Sequence, residues 1–354
     1  MSATTERTRA VRAEDAFDAA ALGAWLAERV DGCEGVPEVR QFSGGASNLT
    51  YLVRFGEREL VLRRPPRGAR SGTAHDVARE YEVQRRLRPH FRYVPHVLAL
   101  CEDEGVIGSP FYVMERIDGI VPGPRMPPEI GTDPRRMAAL AERFVGLLAE
   151  LHAIDVEQAG LADLGRGPGY VERQVRQWSE RFRRARTRNV PDFEDVMAWL
   201  EANRPPDAGY CVIHNDFRLD NLVLDRDDPL VVRGVLDWEL ATIGCPLMDL
   251  GSSLAYWIQR GDGFVAQRFK RQPTDLPGFP TRAEIARRYG ELTGRDVSDW
   301  AFYEIFGLFR LAVIAQQIYA RYARGETTNR AFRFFWIGIR VAHRRLRKAI
   351  RAAG

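Results

Sequence analysis

His214, Asp216, Asn221 and Asp237 are the residues of this chain whose types and spacing could carry out a reaction. They sit in Val212-Ile-His-Asn-Asp-Phe-Arg-Leu-Asp-Asn-Leu-Val-Leu224 and, after a short interval, in Gly234-Val-Leu-Asp-Trp-Glu239. The flanking apolar runs read as short strands, which puts the polar residues on a tight, scaffolded loop. Phosphoryl transfer from ATP needs this inventory. One carboxylate, Asp216, orients the attacking hydroxyl and accepts its proton. One amide, Asn221, and a further carboxylate, Asp237, hold Mg²⁺ against the phosphates. An Asp followed five residues later by Asn is common by chance. Held between apolar strands, with an Asp on the second, it is far rarer. His214 precedes the loop and supports its backbone rather than moving protons.

Such a reaction also needs groups that hold the nucleotide. Phe42-Ser-Gly-Gly-Ala-Ser-Asn-Leu-Thr-Tyr51 joins two expected strands. Gly44 and Gly45 let backbone approach a phosphate, and the Ala46 amide and Ser47 hydroxyl can donate to it. A plain hairpin turn is the simpler reading of that segment taken alone. Leu60-Val-Leu-Arg-Arg-Pro-Pro66 ends a strand in Arg63 and Arg64. Arg63 is the candidate cation for the α- and β-phosphates, as a planar fork where a lysine would be a point charge. Glu80, on the following charged helix, is the acid placed to orient it; the alternative is a surface partner of Gln84. Arg218 either reaches a phosphate or pairs with Asp220, a loop-stabilising carboxylate. Asp249 in Pro246-Leu-Met-Asp-Leu-Gly251 either caps a helix or ties down the catalytic loop. His152 reads as packing or capping within its own helix, and most tryptophans as core.

The elements that must position these groups follow from periodicity. Residues 1–12 read as a disordered tail and Ala16–Val30 as a helix. Strands are expected at 36–42, 49–54, 59–63, 97–101 and 111–115, with one helix inserted over 73–87. Beyond Ile120 the pattern turns helical, with segments near 133–153, 168–188, 191–203, 247–258, 281–293, 297–323 and 327–351. Two short strands, near 210–214 and 231–236, flank the loop. The expected architecture is α+β: a β-rich small lobe over 13–117, then a larger helical lobe over 118–354 carrying the catalytic loop and acceptor site. Gly119, Pro122, Gly123 and Pro124 punctuate the junction.

Composition narrows the class. The chain has 354 residues, enough for two packed lobes, with 45% hydrophobic and 28% charged residues. No uninterrupted apolar run approaches the ~20 residues that cross a bilayer, and the first residues lack the apolar core of a secretory signal. A cytoplasmic protein without membrane attachment is the expectation. The four cysteines are scattered and read as reduced thiols. Net charge is +4, with arginine concentrated over 174–188 and eight Arg/Lys without an acid over 327–354. These stretches read mostly as solvated helix faces, or as an electropositive rim near an anionic substrate. No recognised nucleic-acid motif accompanies them, so no nucleic-acid partner is expected.

Taken together, these motifs, with Val113-Met-Glu-Arg-Ile-Asp-Gly119 and Val235-Leu-Asp-Trp-Glu-Leu-Ala-Thr-Ile-Gly-Cys-Pro-Leu-Met-Asp-Leu250, resemble the aminoglycoside phosphotransferase and choline kinase superfamily. The likeness runs from about residue 38 to about residue 340. It is nearest to the branch related to the kinase domain fused to acyl-CoA dehydrogenases. It implies a protein-kinase-like fold, ATP as co-substrate and Mg²⁺. It implies Asp216 as base, Asn221 and Asp237 as metal ligands, Arg63 with Glu80 at the phosphates and Asp249 as a brace of the loop. The backbone of Met114, Glu115 and Arg116 would receive adenine. Arg63 in place of Lys, and Asn215 in place of Gly, are departures from the antibiotic kinases.

The resemblance also implies a small-molecule hydroxyl as acceptor, and relatives in that branch phosphorylate a 4-hydroxyacyl-CoA. Aminoglycosides are polycations and call for acidic pockets, whereas this chain is basic. An acyl-CoA brings phosphates that suit arginine forks. The alternatives are a choline-, sugar- or aminoglycoside-type kinase, and a nucleotide-binding scaffold without catalysis.

Overall fold

The computed structural model describes residues 8–42, 48–66, 76–327 and 329–354. In chain order the elements are β1 (Thr8–Arg9), α1 (Ala19–Ala27), β2 (Glu38–Phe42), β3 (Leu49–Phe55), β4 (Arg58–Arg64), α2 (Val77–Leu87), β5 (Val97–Cys101), α3 (Glu104–Ile107) and β6 (Phe111–Glu115). Then come α4 (Pro134–His152), α5 (Tyr170–Ala185), α6 (Glu194–Ala202), β7 (Cys211–Ile213), β8 (Leu222–Leu224), β9 (Val232–Val235) and β10 (Thr242–Gly244). The chain closes with α7 (Pro246–Leu254), α8 (Phe264–Arg268), α9 (Arg282–Thr293), α10 (Trp300–Ala323) and α11 (Phe335–Ala353). This is the expected α+β composition, with a small antiparallel sheet and a larger helical portion.

Two compact units result. The first is Met1–Ile120 with Leu222–Ala241, and the second is Val121–Asn221 with Thr242–Gly354. The expected boundary near residue 117 is therefore only half of the division: the chain returns to the first unit at Leu222. The reason is pairing. Ile120 exchanges backbone hydrogen bonds of 2.7 and 2.8 Å with Leu224, and β8 pairs with β9. Gly119 makes that approach feasible, because a Cβ there would lie 2.3 Å from the Leu224 carbonyl oxygen.

The first unit's sheet has the order β1-β2-β3-β4-β6-β5, all antiparallel. Part of the expected tail is thus structured: Thr8 pairs with Phe42 and Arg9 with Gln41. Alternation along the strands sorts their side chains onto two faces. Tyr51, Val53, Leu60, Leu62, Phe111 and Val113 pack with Leu22 and Leu26 of α1. Val61, Tyr112 and Met114 pack with Val77 of α2 on the other face. Arg63 follows Leu62, so the period of two sends it to the α2 face. Arg64 goes to the α1 face, where it is fully buried and bonded to the Tyr51 hydroxyl and the Asp15 carbonyl. The two adjacent arginines therefore have different jobs.

In the second unit β7 pairs with β10. Helix α4 buries Met137, Leu140, Phe144, Leu148 and Leu151, an i, i+3, i+4 stripe. Helix α5 buries Val171, Val175, Trp178 and Phe182 in the same way. Helices α7 and α10 touch backbone to backbone, since a Cβ on Gly307 would come within 2.1 Å of the Gly251 carbonyl oxygen. Helix α10 is the longest apolar segment among the described residues, although Glu304, Arg310 and Arg321 interrupt it. By length and composition it could cross a membrane, with mean hydropathy 1.2. However, 61% of that window is buried inside the protein, as a core helix would be.

Candidate active site

In the first unit, strand β4 and helix α2 bring a cation and an acid together. Glu80 lies on the buried stripe of α2 with Val77, Val83 and Leu87, facing the sheet. Asp76 starts that helix by accepting a hydrogen bond from the Arg79 amide. Arg63 Nη1 lies 2.9 Å from Glu80 Oε1. Its Nη2 lies 3.2 Å from Asp237 Oδ1 and 3.1 Å from Glu239 Oε2. One buried guanidinium thus serves three carboxylates. Burial alone would lower the Arg63 pKa, but Glu80, Tyr112, Asp237 and Glu239 outweigh it and hold the group charged. Burial drives the Glu80 carboxyl upward, with Arg63 as the main opposing pull.

Gln84 does not serve as a side-chain partner of Glu80. Its Nε2 donates to the Glu80 carbonyl and to the Tyr112 hydroxyl. Asp237 takes a left-handed backbone, φ +71°, just after β9. That is unusual for a residue with a side chain and aims the carboxylate out of the strand's alternation. Glu239 was not singled out by sequence reasoning, although it stands two residues beyond Asp237 in the same motif.

Met114 and Glu115 end β6, Met114 buried and Glu115 exposed. Arg116 pairs with Glu59 and, at 2.9 Å, with Asp118. Gly44, Gly45, Ala46 and Ser47 lie outside the described residues.

In the second unit, the loop between β7 and Asn221 is fixed from several sides. Asn221 Nδ2 donates to the Asp216 carbonyl at 2.8 Å and to Asp216 Oδ2 at 3.2 Å. Arg218 joins both neighbouring carboxylates, Asp216 at 3.2 Å and Asp220 at 3.0 Å. Asn215 adopts φ +65°, a conformation that Gly or Asn accepts most readily, which explains how Asn stands in a Gly position.

Asp249 is not a helix cap. The cap position of α7 is Cys245, and Asp249 lies fully buried in the first turn. Its two oxygens accept from the amides of His214 at 2.8 Å and Asn215 at 2.7 Å. His152 Nε2 lies 3.1 Å from the same carboxylate, and its Nδ1 lies 2.7 Å from the Tyr289 hydroxyl. In the neutral ring a proton on Nε2 faces the carboxylate while Tyr289 donates to Nδ1. The reading of His152 as a residue of its own helix is therefore replaced by a link from α4 through α7 to the loop. His214 supports the loop too: its Nδ1 accepts from the Asp216 amide at 3.3 Å. Ser253 Oγ donates to the Phe217 carbonyl, Gln272 Oε1 accepts from the Leu219 amide, and Arg310 Nη2 donates to the Asn215 carbonyl.

Burial opposes the Asp249 charge, yet His152, His214 and the loop amide lower its pKa below the ordinary carboxylate value. A depressed acid stabilises the folded state above its unfolded pKa and loses that effect as pH falls through the folded value. The brace should thus be intact at neutral pH and fail only below about pH 4. Asp249→Asn replaces one of the two accepting oxygens by an N–H₂ that faces a backbone amide. We expect a loss of about 3 to 5 kcal/mol, seen as an earlier urea midpoint at pH 7. The gap should close on acidification, as the wild-type carboxylate is protonated.

Asn221, in the second unit, offers an amide oxygen and Asp237, in the first, a carboxylate; each is a hard donor of the kind Mg²⁺ takes. Among the described residues there is no group of three or more His, Cys, Asp or Glu side chains that would form a separate metal site.

Residues 38–285 match the phosphotransferase enzyme family. Acyl-CoA dehydrogenase family member 10 of Mus musculus is 36% identical over 298 residues, covering 83% of this chain and 27% of that protein. Acyl-CoA dehydrogenase family member 11 of Rattus norvegicus is 34% identical over 333 residues, covering 92% and 42%. The chain thus spans well under half of either relative. Among solved structures, an aminoglycoside-phosphotransferase-like protein of Ralstonia eutropha JMP134 superposes with TM-score 0.80 and 31% identity, covering 95% of this chain and 99% of that one. A choline kinase of Cryptosporidium parvum shares the fold with TM-score 0.63 and 13% identity, over 95% and 97% of the two chains. So does aminoglycoside phosphotransferase APH(4)-Ia in ternary complex with AMP-PNP and hygromycin B, with TM-score 0.56 and 17% identity over 94% and 98%. By the family match and the identity to these relatives, the chain belongs to the phosphotransferase enzyme family.

Proposed function

We propose that the chain transfers the γ-phosphoryl group of ATP to a hydroxyl of a small anionic molecule, with a hydroxyacyl-CoA as the first candidate. The observation that carries this reading is the clamp of Asn221 on Asp216, held in a loop whose backbone is bonded to a buried Asp249. Asp216 is the base. It orients the acceptor hydroxyl and takes its proton as the oxygen bonds to phosphorus and the bond to ADP breaks. Asn221 turns its nitrogen to Asp216, so its oxygen is the group it can offer a cation; Asp237 offers a carboxylate. Mg²⁺, when bound, would neutralise charge on the phosphates. Arg63, oriented by Glu80, holds the phosphates as a planar fork. The hinge backbone at Met114–Arg116 receives the adenine.

AMP-PNP in a neighbour of the same fold supports ATP as donor. The acyl-CoA dehydrogenase names of the relatives support a CoA thioester as acceptor, because a hydroxyacyl-CoA is chemistry adjacent to that of a dehydrogenase. The test is ADP release across hydroxyacyl-CoAs, free hydroxy acids, choline, sugars and aminoglycosides, with the product identified by mass spectrometry. Turnover with a hydroxyacyl-CoA is expected. Turnover only with a cationic alcohol would overturn the acceptor, and nucleotide binding without turnover on any of them would overturn the transferase reading.

A further inference from the structure

Arg310 is a buried cation, 6% exposed, in the middle of α10. Its Nη2 donates to the Asn215 carbonyl at 3.0 Å, one residue before Asp216. Its guanidinium carbon lies 5.1 Å from the centroid of the Trp178 ring. Arg181, one turn along α5 from Trp178, places its own guanidinium 4.6 Å from that ring. Among the described residues, neither arginine has a carboxylate within ion-pair distance.

This is an unusual arrangement to keep. Burying a guanidinium without a counter-charge costs several kcal/mol, which one carbonyl and one indole face offset only in part. Two like charges on one ring add repulsion. Burial and then Arg310 and Arg184 push the Arg181 pKa down. Arg181 itself is exposed, and so is Arg183 of the same helix, which solves its charge differently. Arg183 pairs with Glu194 at the surface, the ordinary solution for a solvated face. The neighbourhood is also that of the base. Burial first, then Asp216, raise the Tyr256 hydroxyl, while Arg310, Arg218 and Arg271 pull it down. Arg218 is already committed to Asp216 and Asp220, and Arg271 reaches Asp220 at 4.0 Å, so the uncommitted positive charge of this neighbourhood is on Arg310, with Arg181 across the Trp178 ring from it.

We propose that Arg310 and Arg181, gathered on Trp178, form an anion subsite that holds an acidic group of the acceptor beside the Asp216 loop. The chemistry recognised is a carboxylate or phosphate oxygen, received by guanidinium N–H groups with Trp178 as an apolar floor. Arg310 then has two roles, since the same guanidinium fixes the Asn215 carbonyl. Filling the subsite sets the loop as well as the acceptor. The inference rests on the reading of the chain as a kinase of an anionic acceptor, and it adds which residues recognise the charge.

Binding calorimetry on the full chain, with AMP-PNP and Mg²⁺ saturating, tests it with two matched pairs. Pantetheine 4′-phosphate against pantetheine reads a phosphate, and 3-hydroxybutyrate against its amide reads a carboxylate. The wild type should prefer the anion in at least one pair by about tenfold, the value of one charge-assisted contact. Arg181→Gln should erase that preference and leave the neutral compound's affinity unchanged; Arg310→Gln should erase it too, with any loss from the freed Asn215 carbonyl falling equally on both members of a pair. Arg310→Lys should keep part of it. Equal affinity within both pairs in the wild type, or a preference that survives both glutamine variants, overturns the subsite. Should Arg310→Gln fail to fold, Arg181→Gln at the solvent edge decides alone. AMP-PNP affinity is measured separately, so a wild type that binds no nucleotide defeats the kinase reading while the anion measurement stands.

Discussion

Asp216→Asn should leave the chain folded and able to bind AMP-PNP while lowering kcat by about 10²- to 10⁴-fold, the usual contribution of a positioned base. Asn has the shape of Asp and keeps an oxygen to accept from Asn221, whose amide lies 2.8 Å from the Asp216 carbonyl and 3.2 Å from its carboxylate. What is lost is the capacity to take a proton. Stability should change little. The Asp216 side chain is 16% exposed, and Arg218 retains its second partner, Asp220, at 3.0 Å. Asp220→Asn is the control, because it removes the other arm of the Arg218 pair without touching Asn221. It should leave kcat within a few-fold. Similar losses in the two variants would mean that Arg218 pairing, not proton transfer, is what the rate reports. A kcat for Asp216→Asn within threefold of wild type would remove Asp216 as the base. The acceptor KM should move less than kcat, since a base acts mainly in the transition state.

The parts of this site that the sequence discloses are those set by local pattern. Strands β5 and β6 are readable to the residue, because their continuous apolar runs are bounded by polar or turn residues, Glu102 after the first and Pro110 before the second. The alternation of β4 also determines that Arg63 and Arg64 part company, although only the positions of α1 and α2 say which arginine meets Glu80. Long-range partners leave no such trace. His152 and Asp249 are 97 residues apart, and nothing around either names the other. Strand β10 has only Thr242, Ile243 and Gly244, too few for a period to show, so the companion of β7 stays hidden. Glu239 was within reach, since it is the second acid of the Asp-Trp-Glu motif that carries Asp237. Arg310 carried a signal as well: it is the lone charge between Ile305 and Ala320 in an apolar helix. A charge in such a run is either neutralised or functional.

Removing Arg63 should destabilise the fold about as much as losing the Asp249 brace, and the pattern of its rescue separates folding from chemistry. Its guanidinium meets Glu80 at 2.9 Å, Glu239 at 3.1 Å and Asp237 at 3.2 Å. Glu80 is 2% exposed. Arg63→Ala strands that carboxylate in the interior, which should cost about 3 to 5 kcal/mol and lower Tm by roughly 5 °C. Arg63→Lys should fall between. An ammonium on a flexible stem can replace the contact to Glu80 or those to Asp237 and Glu239, but not the planar fork that reaches both sides. The double variant Arg63→Met with Glu80→Leu removes both buried charges and should recover most of the lost Tm, because a well-packed apolar pair is as stable as a buried ion pair. It should not recover ATP use, since no cation is left at the phosphates. If the double variant regained turnover, the pair would be a structural device only. If Arg63→Ala unfolded no earlier than wild type, the three carboxylates would have to be solvated well enough without it, against their burial.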